Sequence, residues 1–260
     1  MFVHQLIKRG ENHKDFCQDF VLAYELSERY AVYGVFDGCS SGIDSHFAST
    51  LTAKVFKAEF EYLEPENYET TREALNRAIM HAIESLSGIR DNLLLETDEL
   101  LSTAILLFID KIDQSGDIIV IGDGMVAING KIHRIEQENV PDYLAYYLDQ
   151  INTFEDFEKW LQEHAIHFHI DKIDDIVIST DGIYSFQKVN SETAENNAPE
   201  PADFMFLNEM LIGNPSMLSR KCNILKNKFG LVNFDDLGII RIWNRNHTEN
   251  GKNSIKNAQG

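Results

Sequence analysis

Only three cysteines, Cys17, Cys39 and Cys222, occur in 260 residues, too few and too scattered for a disulfide framework or a CxxC metal site. Basic residues are also scarce. Lys and Arg number 23 against 42 Asp and Glu, giving a formal charge of −19 and a pI near 4.8. Such a surface repels phosphate backbones and anionic membranes, which argues against nucleic acid or a membrane as partner. Long apolar runs are missing too: no stretch approaches membrane-spanning length, and no cleavable signal precedes the first strand-like run. A reducing, cytoplasmic setting is the expectation. There is no internal repeat, and nothing in the pattern indicates an oligomeric state. What is present is a 43% share of hydrophobic residues, enough for a sizeable core in one large domain or two small ones. A generally acidic surface accounts for most of the charge, and carboxylates gathered around cations would account for the rest.

Short runs rich in apolar residues predict strands over Phe2–Lys8, Phe20–Leu26 and Tyr30–Phe36, the last two joined tightly enough to pair as a hairpin. From Ser45 the period becomes helical, through Phe47, Leu51, Val55 and Phe56, then Ala74 to Ile83, with Pro65 between the two helices. A third helical piece is expected over Asp91–Leu101. Strand signals return at Thr103–Ile109 and Ile118–Gly122, and Val126–Ile128 and Lys131–Ile135 flank Asn129-Gly130, a strong hairpin signal. Asp142–Gln150 and Phe154–Glu163 read as helices, Ile166–Ile170 as extended, and Ile176–Thr180 as a buried strand. Lys188–Asp203 reads as a surface loop. Leu207–Phe229 reads as one or two helices divided near Gly213-Asn214-Pro215, and Leu237–Trp243 as the last strand. The domain therefore spans 1–243, followed by a polar, flexible tail at 244–260. Few strands alternate with single helices, so antiparallel sheets with helices on their outer faces fit better than a doubly wound parallel sheet.

Four acidic positions recur at strand ends: Asp37-Gly38, Gly122-Asp123-Gly124, Asp181-Gly182 and Asp235-Asp236. The first ends the apolar run Tyr33-Gly34-Val35-Phe36. Oxygen ligands gathered from several strand ends suit hard divalent cations such as Mg²⁺ or Mn²⁺; zinc would call for histidines and thiolates. Each of these acids, taken singly, is also an ordinary turn residue.

At these residues the chain resembles the protein phosphatase 2C family, the metal-dependent Ser/Thr protein phosphatases. Val35-Phe36-Asp37-Gly38 is similar to its Val-x-Asp-Gly motif. Ser102-Thr103-Ala104 followed by Ile121-Gly122-Asp123 resembles its Ser-Thr-Ala strand and Gly-Asp-Ser turn. Ile178-Ser179-Thr180-Asp181-Gly182 looks like its Ser-Asp-Gly motif, and Phe234-Asp235-Asp236 like its Asp-Asn or Asp-Asp motif. Each motif is weak alone; four in order, from Gln18 to Ile242, are specific. The resemblance implies an α+β fold, a four-layer α-β-β-α sandwich of two antiparallel sheets flanked by helices. It implies two Mg²⁺ or Mn²⁺ ions, with a third in some members. By that analogy Asp37 bridges two metals, the Gly38 carbonyl binds one, and Asp181 and Asp235 hold the other. Asp123 supports the weaker third ion, Asp236 belongs with Asp235, and Asp37 and Asp19 are the catalytic carboxylates. The implied reaction is hydrolysis of phospho-Ser or phospho-Thr in a phosphoprotein by a metal-bridged water, without a protein nucleophile.

The chain departs from the family in four places. Cys17-Gln18-Asp19 stands where Asn-Glu-Asp is common, although His13 to Asp19 resembles a bacterial branch with His-x-x-x-Cys-Gln-Asp. Lys14, beside His13, stands where many members place a phosphate-binding Arg, and a Lys loses the bidentate fork. Cys39-Ser40 replaces the usual His-Gly, removing the proposed general acid. The segment Glu136–Asp171 matches no part of the family's flap. Gln18, Cys39 and Lys14 motivate an alternative: a catalytically weak phosphatase-fold scaffold or phosphopeptide-binding regulator. Outside the motifs, His164, His167 and His169 lack a fourth ligand and read as surface or packed histidines. Phe154, Phe157, Trp160 and Leu161 read as a helical core stripe.

Overall fold

The continuous apolar runs of the middle strands have a simple cause, visible in a computed structural model of the chain that describes residues 1–64, 67–137, 141–189, 195 and 197–244. These strands are covered on both faces. One sheet has the order β2-β3-β4-β5-β8, formed by Asp19–Glu25, Tyr30–Asp37, Ala104–Asp110, Ser115–Ile121 and Ala165–Ile170. The other has the order β1-β12-β9-β6-β7, formed by Phe2–Lys8, Leu237–Trp243, Asp175–Ser179, Gly124–Ile128 and Lys131–Ile135. All their pairings are antiparallel.

Alternation sorts each strand between two interiors. On β3, Ala31, Tyr33 and Val35 face the second sheet, where Ile105, Leu107, Val126, Ile176, Ile178 and Ile240 join them. Val32 and Phe36 point outward, against α1 (Ser45–Tyr62) and α2 (Thr71–Leu93), packing with Phe56, Phe60, Ile79 and Ile83. Beyond the other sheet lie α4 (Pro201–Phe206) and α5 (Met217–Phe229), which bury Met205, Phe206, Leu218 and Leu225 against Val177 and Ile239. The result is the expected four-layer α-β-β-α sandwich. The third long helix, α3 (Phe154–His164), packs beside β8 and buries Phe157 and Trp160.

Several local expectations are corrected. Asp91–Leu101 is not a separate helix: α2 runs on to Leu93, Leu94 turns left-handed at φ 57°, and one 3-10 turn follows at Thr97–Glu99. Asp142–Gln150 forms only a 3-10 turn at Leu144–Tyr147, and Asp142 at its head is held from outside the segment by Gln137 and His164 as well as by Tyr147. The expected loop Lys188–Asp203 ends early, since α4 begins at Pro201, where a proline is tolerated in the first helical turn. Two three-residue strands, β10 (Phe186–Lys188) and β11 (Leu231–Asn233), pair in a small extra sheet too short for periodicity to reveal. Asn129 and Gly130 both take positive φ, as the hairpin reading of Asn-Gly requires. Pro65 and the tail from 245 lie outside the described residues.

Candidate metal centre

The four acidic motifs fall at one end of the sandwich. Asp19 opens β2 and Asp37 closes β3, and the two are direct partners across the hairpin. Asp181 follows β9, Asp235 precedes β12, and Asp123 sits in the turn from β5 to β6. Because β9 and β12 are antiparallel neighbours, the end of one and the start of the other meet here.

The backbone is drawn tight around these acids. The Thr103 N–H donates to the Asp37 carbonyl at 2.9 Å, and the Gly38 N–H to the Gln18 carbonyl at 3.1 Å. Gly38 has no room for a side chain: a Cβ there would lie 2.0 Å from the Ser45 carbonyl oxygen. At Gly182 a Cβ would lie 1.6 Å from the Asp236 carbonyl oxygen. These two glycines are therefore fixed by close backbone approach, which seats Asp37 and Asp181. The two sheets are linked by the Thr180 hydroxyl, which donates to Asp19 Oδ2 at 2.6 Å.

Electrostatically the cluster is uncompensated. Burial, followed by the charges of Asp19 and Asp181, pushes the Asp37 carboxyl well above its ordinary range. Burial likewise raises Asp19, and the charges of Asp236 and Asp181 add to the rise. Asp181 is pushed up to about 7 by burial, then by Asp123 and Asp235, and burial raises Asp123 as well. Asp19 Oδ1 is buried with no hydrogen-bond partner. Like charges held together with an orphaned oxygen suit a hard cation, which would return all these carboxyls to their ionised form. Among the described residues no three Asp, Glu, His or Cys groups stand as a preformed cage.

The remaining expected residues fall into two sets. Asp235 stays near the acids, its side chain 45% exposed, and its N–H donates to Ser185 Oγ at 3.0 Å. Asp236, expected beside it as a ligand, is engaged otherwise. Its two oxygens accept the Gly10 N–H at 2.7 Å and the Gln18 N–H at 2.5 Å. His13, expected at the substrate phosphate, has Nδ1 2.7 Å from Asp236 and Nε2 3.6 Å from Asp235. Asp236 and His13 thus tie the 9–18 loop to the start of β12. Lys14 is exposed, and its carbonyl accepts from Arg9 at 2.6 Å.

One neighbour escaped sequence reasoning. Tyr143, 5% exposed, packs in the helix-side core that Cys39 also borders, and burial, followed by Cys39, Asp37 and Asp123, raises its phenol above the ordinary range. It belongs to the segment that matched no motif, and its only signal in the sequence is its place just after the hairpin that follows Asp123. The histidines that looked like a cluster are split. His167 and His169 both meet the buried Asp117, at 2.8 and 3.0 Å, while His164 pairs with Asp142 at 3.3 Å.

The profile of the protein phosphatase 2C family matches residues 9–210; the chain belongs to that family, and membership supports serine/threonine phosphatase activity. None of the curated proteins matches the chain. Among solved structures, a variant of a bacterial serine phosphatase is similar with a TM-score of 0.60 at 15% identity, covering 93% of this chain and 97% of that one. A serine/threonine phosphatase from Staphylococcus aureus gives 0.56 at 14% identity, covering 92% and 93%. The phosphatase domain of the cell-fate determinant SpoIIE from Bacillus subtilis, with a fragment of its regulatory domain, gives 0.55 at 18% identity, covering 92% and 62%. At these identities the likeness concerns the fold. Among the described residues no helix is long and apolar enough to cross a membrane.

Proposed function

We propose that residues 1–243 form a metal-dependent phosphomonoesterase that removes phosphate from phospho-Ser or phospho-Thr in a protein substrate. The observation that carries this reading is the uncompensated acid cluster, with Asp37, Asp19 and Asp181 all raised by burial and by each other. Asp37 would be shared by two Mg²⁺ or Mn²⁺ ions, the Gly38 carbonyl would serve one, and Asp181 and Asp235 the other. Asp123 would hold a third ion weakly. Such ions supply Lewis acidity, activating water and screening phosphoryl charge.

The chain's own groups do the rest. Asp19, the cross-strand partner of Asp37, is fixed by the Thr180 hydroxyl. Asp236 and His13 hold the 9–18 loop, and so the exposed Lys14, beside the cluster. Lys14 would then meet the substrate phosphate as a point charge. Burial of the acids keeps bulk water from screening them, which strengthens their hold on a cation.

The rival reading is a scaffold that binds phosphopeptides without turning them over. It rests on Gln18, Cys39 and Lys14, which depart from the family pattern. The two separate on one assay: turnover of a phosphoserine peptide by the full chain with Mn²⁺ and with EDTA. Turnover that requires the metal supports the enzyme; peptide binding without turnover at any metal concentration supports the scaffold.

A further inference from the structure

Arg134 brings a guanidinium to the edge of the acid cluster on the β6–β7 side. The register of that hairpin fixes its place. Gly124 pairs with Ile135 and Met125 with Arg134, so Arg134 lies one strand over and two residues along from Asp123. At ordinary strand spacings this is a Cα separation of about 8 Å. On the other side β6 pairs with β9, Met125 opposite Ser179, and β9 runs into the 3-10 turn Asp181–Ser185. That turn carries Tyr184 to the arginine: the guanidinium carbon lies 3.8 Å from the centre of the Tyr184 ring. Tyr184 in turn packs beside Ile132 and Ile183 in the core between this sheet and α4 and α5. Stacking on a ring held by packing orients the guanidinium while leaving its charge and its N–H fork in place. The Arg134 side chain is 54% exposed, and its ion-pair partner Glu136 is 63% exposed. Such an exposed pair is weak and readily exchanged, and a guanidinium has five N–H donors, more than one carboxylate fills.

We infer that Arg134 receives an acidic side chain of the protein substrate, one or two residues from the phosphoserine or phosphothreonine. The spacing fits. Extended chain advances about 3.3–3.6 Å per residue, so a side chain one or two positions from a phosphate lying over the acids reaches a group two residues beyond Asp123. The charge fits as well. At a formal charge of −19 the chain opposes the approach of an acidic peptide, so a cation held beside the cluster decides which acidic peptides bind there. Its planar fork can meet a carboxylate with two parallel N–H groups. Arg134 is a specificity residue in this role and touches no reacting atom.

The inference rests on the phosphatase reading, and the test separates the two. kcat/KM is measured with Mn²⁺ on two phosphoserine peptides that differ only in carrying Glu or Gln at the two positions on either side. The expected result is a wild-type preference for the Glu peptide of about fivefold, the scale of one exposed ion pair. It should lie in KM, because the contact is the same in ground and transition states. Added salt should compress it. Arg134→Gln should bring the ratio to one or below, and Arg134→Lys, a cation without the fork, should keep part of it. Glu136→Gln, which removes the competing carboxylate, should raise it. A wild-type ratio of one or below, or an Arg134→Gln chain with the wild-type ratio, would overturn the role of Arg134 while leaving the phosphatase reading intact, since both peptides are still turned over. A wild-type chain inert toward both peptides would overturn the phosphatase reading and with it the role built on it.

Discussion

The two ends of β9 hold two clusters of buried charge built in opposite ways. At its start, Asp175 receives two guanidinium N–H groups of the fully buried Arg241, at 2.9 and 2.7 Å. A further Arg241 N–H reaches the carbonyls of Met205 and Asn208, at 3.2 and 2.9 Å, and the Lys221 ammonium donates to the same two carbonyls. Beyond its other end, Asp181 lies in the field of Asp123 and Asp235, and Asp37 sits opposite Asp19 across the β2–β3 hairpin. The first cluster brings opposite charges together, with Arg241 on Asp175, and gives the Lys221 ammonium backbone carbonyls to bond. The second gathers one sign of charge and needs a cation from outside. Burial alone therefore does not mark a functional site; burial without compensation does.

The comparison breaks most sharply through Asp37. Asp37→Asn should lower kcat at saturating Mn²⁺ by roughly a thousandfold or more, the scale for a group that organises the nucleophile. The chain should still fold, as circular dichroism would show, because one member of a repelling set is neutralised. Arg241→Met should do the reverse. It leaves Asp175 unpaired and should cost about 3 kcal/mol of stability in urea unfolding, with turnover of the folded fraction unchanged. Turnover loss in the folded Arg241→Met chain would erase the distinction between the clusters.

A smaller effect appears in pH dependence. A carboxyl with a raised folded pKa keeps its proton after the unfolded chain has lost it. For Asp181, raised to about 7, the metal-free protein should lose stability as pH climbs from about 4 through 7. Asp19 and Asp37, raised in the same direction, add to this slope. Urea midpoints taken in EDTA should therefore fall across that window, and Mn²⁺ should flatten the fall. A slope unchanged by Mn²⁺ would count against a cation among these acids. The smallest effect belongs to Asp123→Asn, which should cost less than about tenfold in kcat because it touches only a weakly held ion.

Much of this was legible in the sequence. The bounds of β1 were read directly, and the four acidic motifs fall where strand ends meet. Asn129-Gly130 named its own hairpin because a positive φ leaves few residue choices. What stayed hidden depends on tertiary partners. Nothing local shows that Asp236 spends its oxygens on Gly10 and Gln18, 226 and 218 residues away in sequence. Nor does anything local show that His13 meets the acids at the start of β12. The segment 142–150 carries helical spacing, yet its Asp142 is taken up by Tyr147 and Gln137. Tyr143 follows from that diversion and so was equally invisible.

The central claim is that the acids at this end of the sandwich are a two-metal centre. Calorimetric titration of Mn²⁺ into the metal-free chain at neutral pH tests it most directly. The account predicts two ions bound per chain with release of protons, since ligation ionises carboxyls that burial had kept protonated. Asp37→Asn should abolish or strongly weaken this binding, and Arg241→Met should preserve it. Absence of binding to the wild-type chain, or two ions bound as tightly by Asp37→Asn, would contradict it.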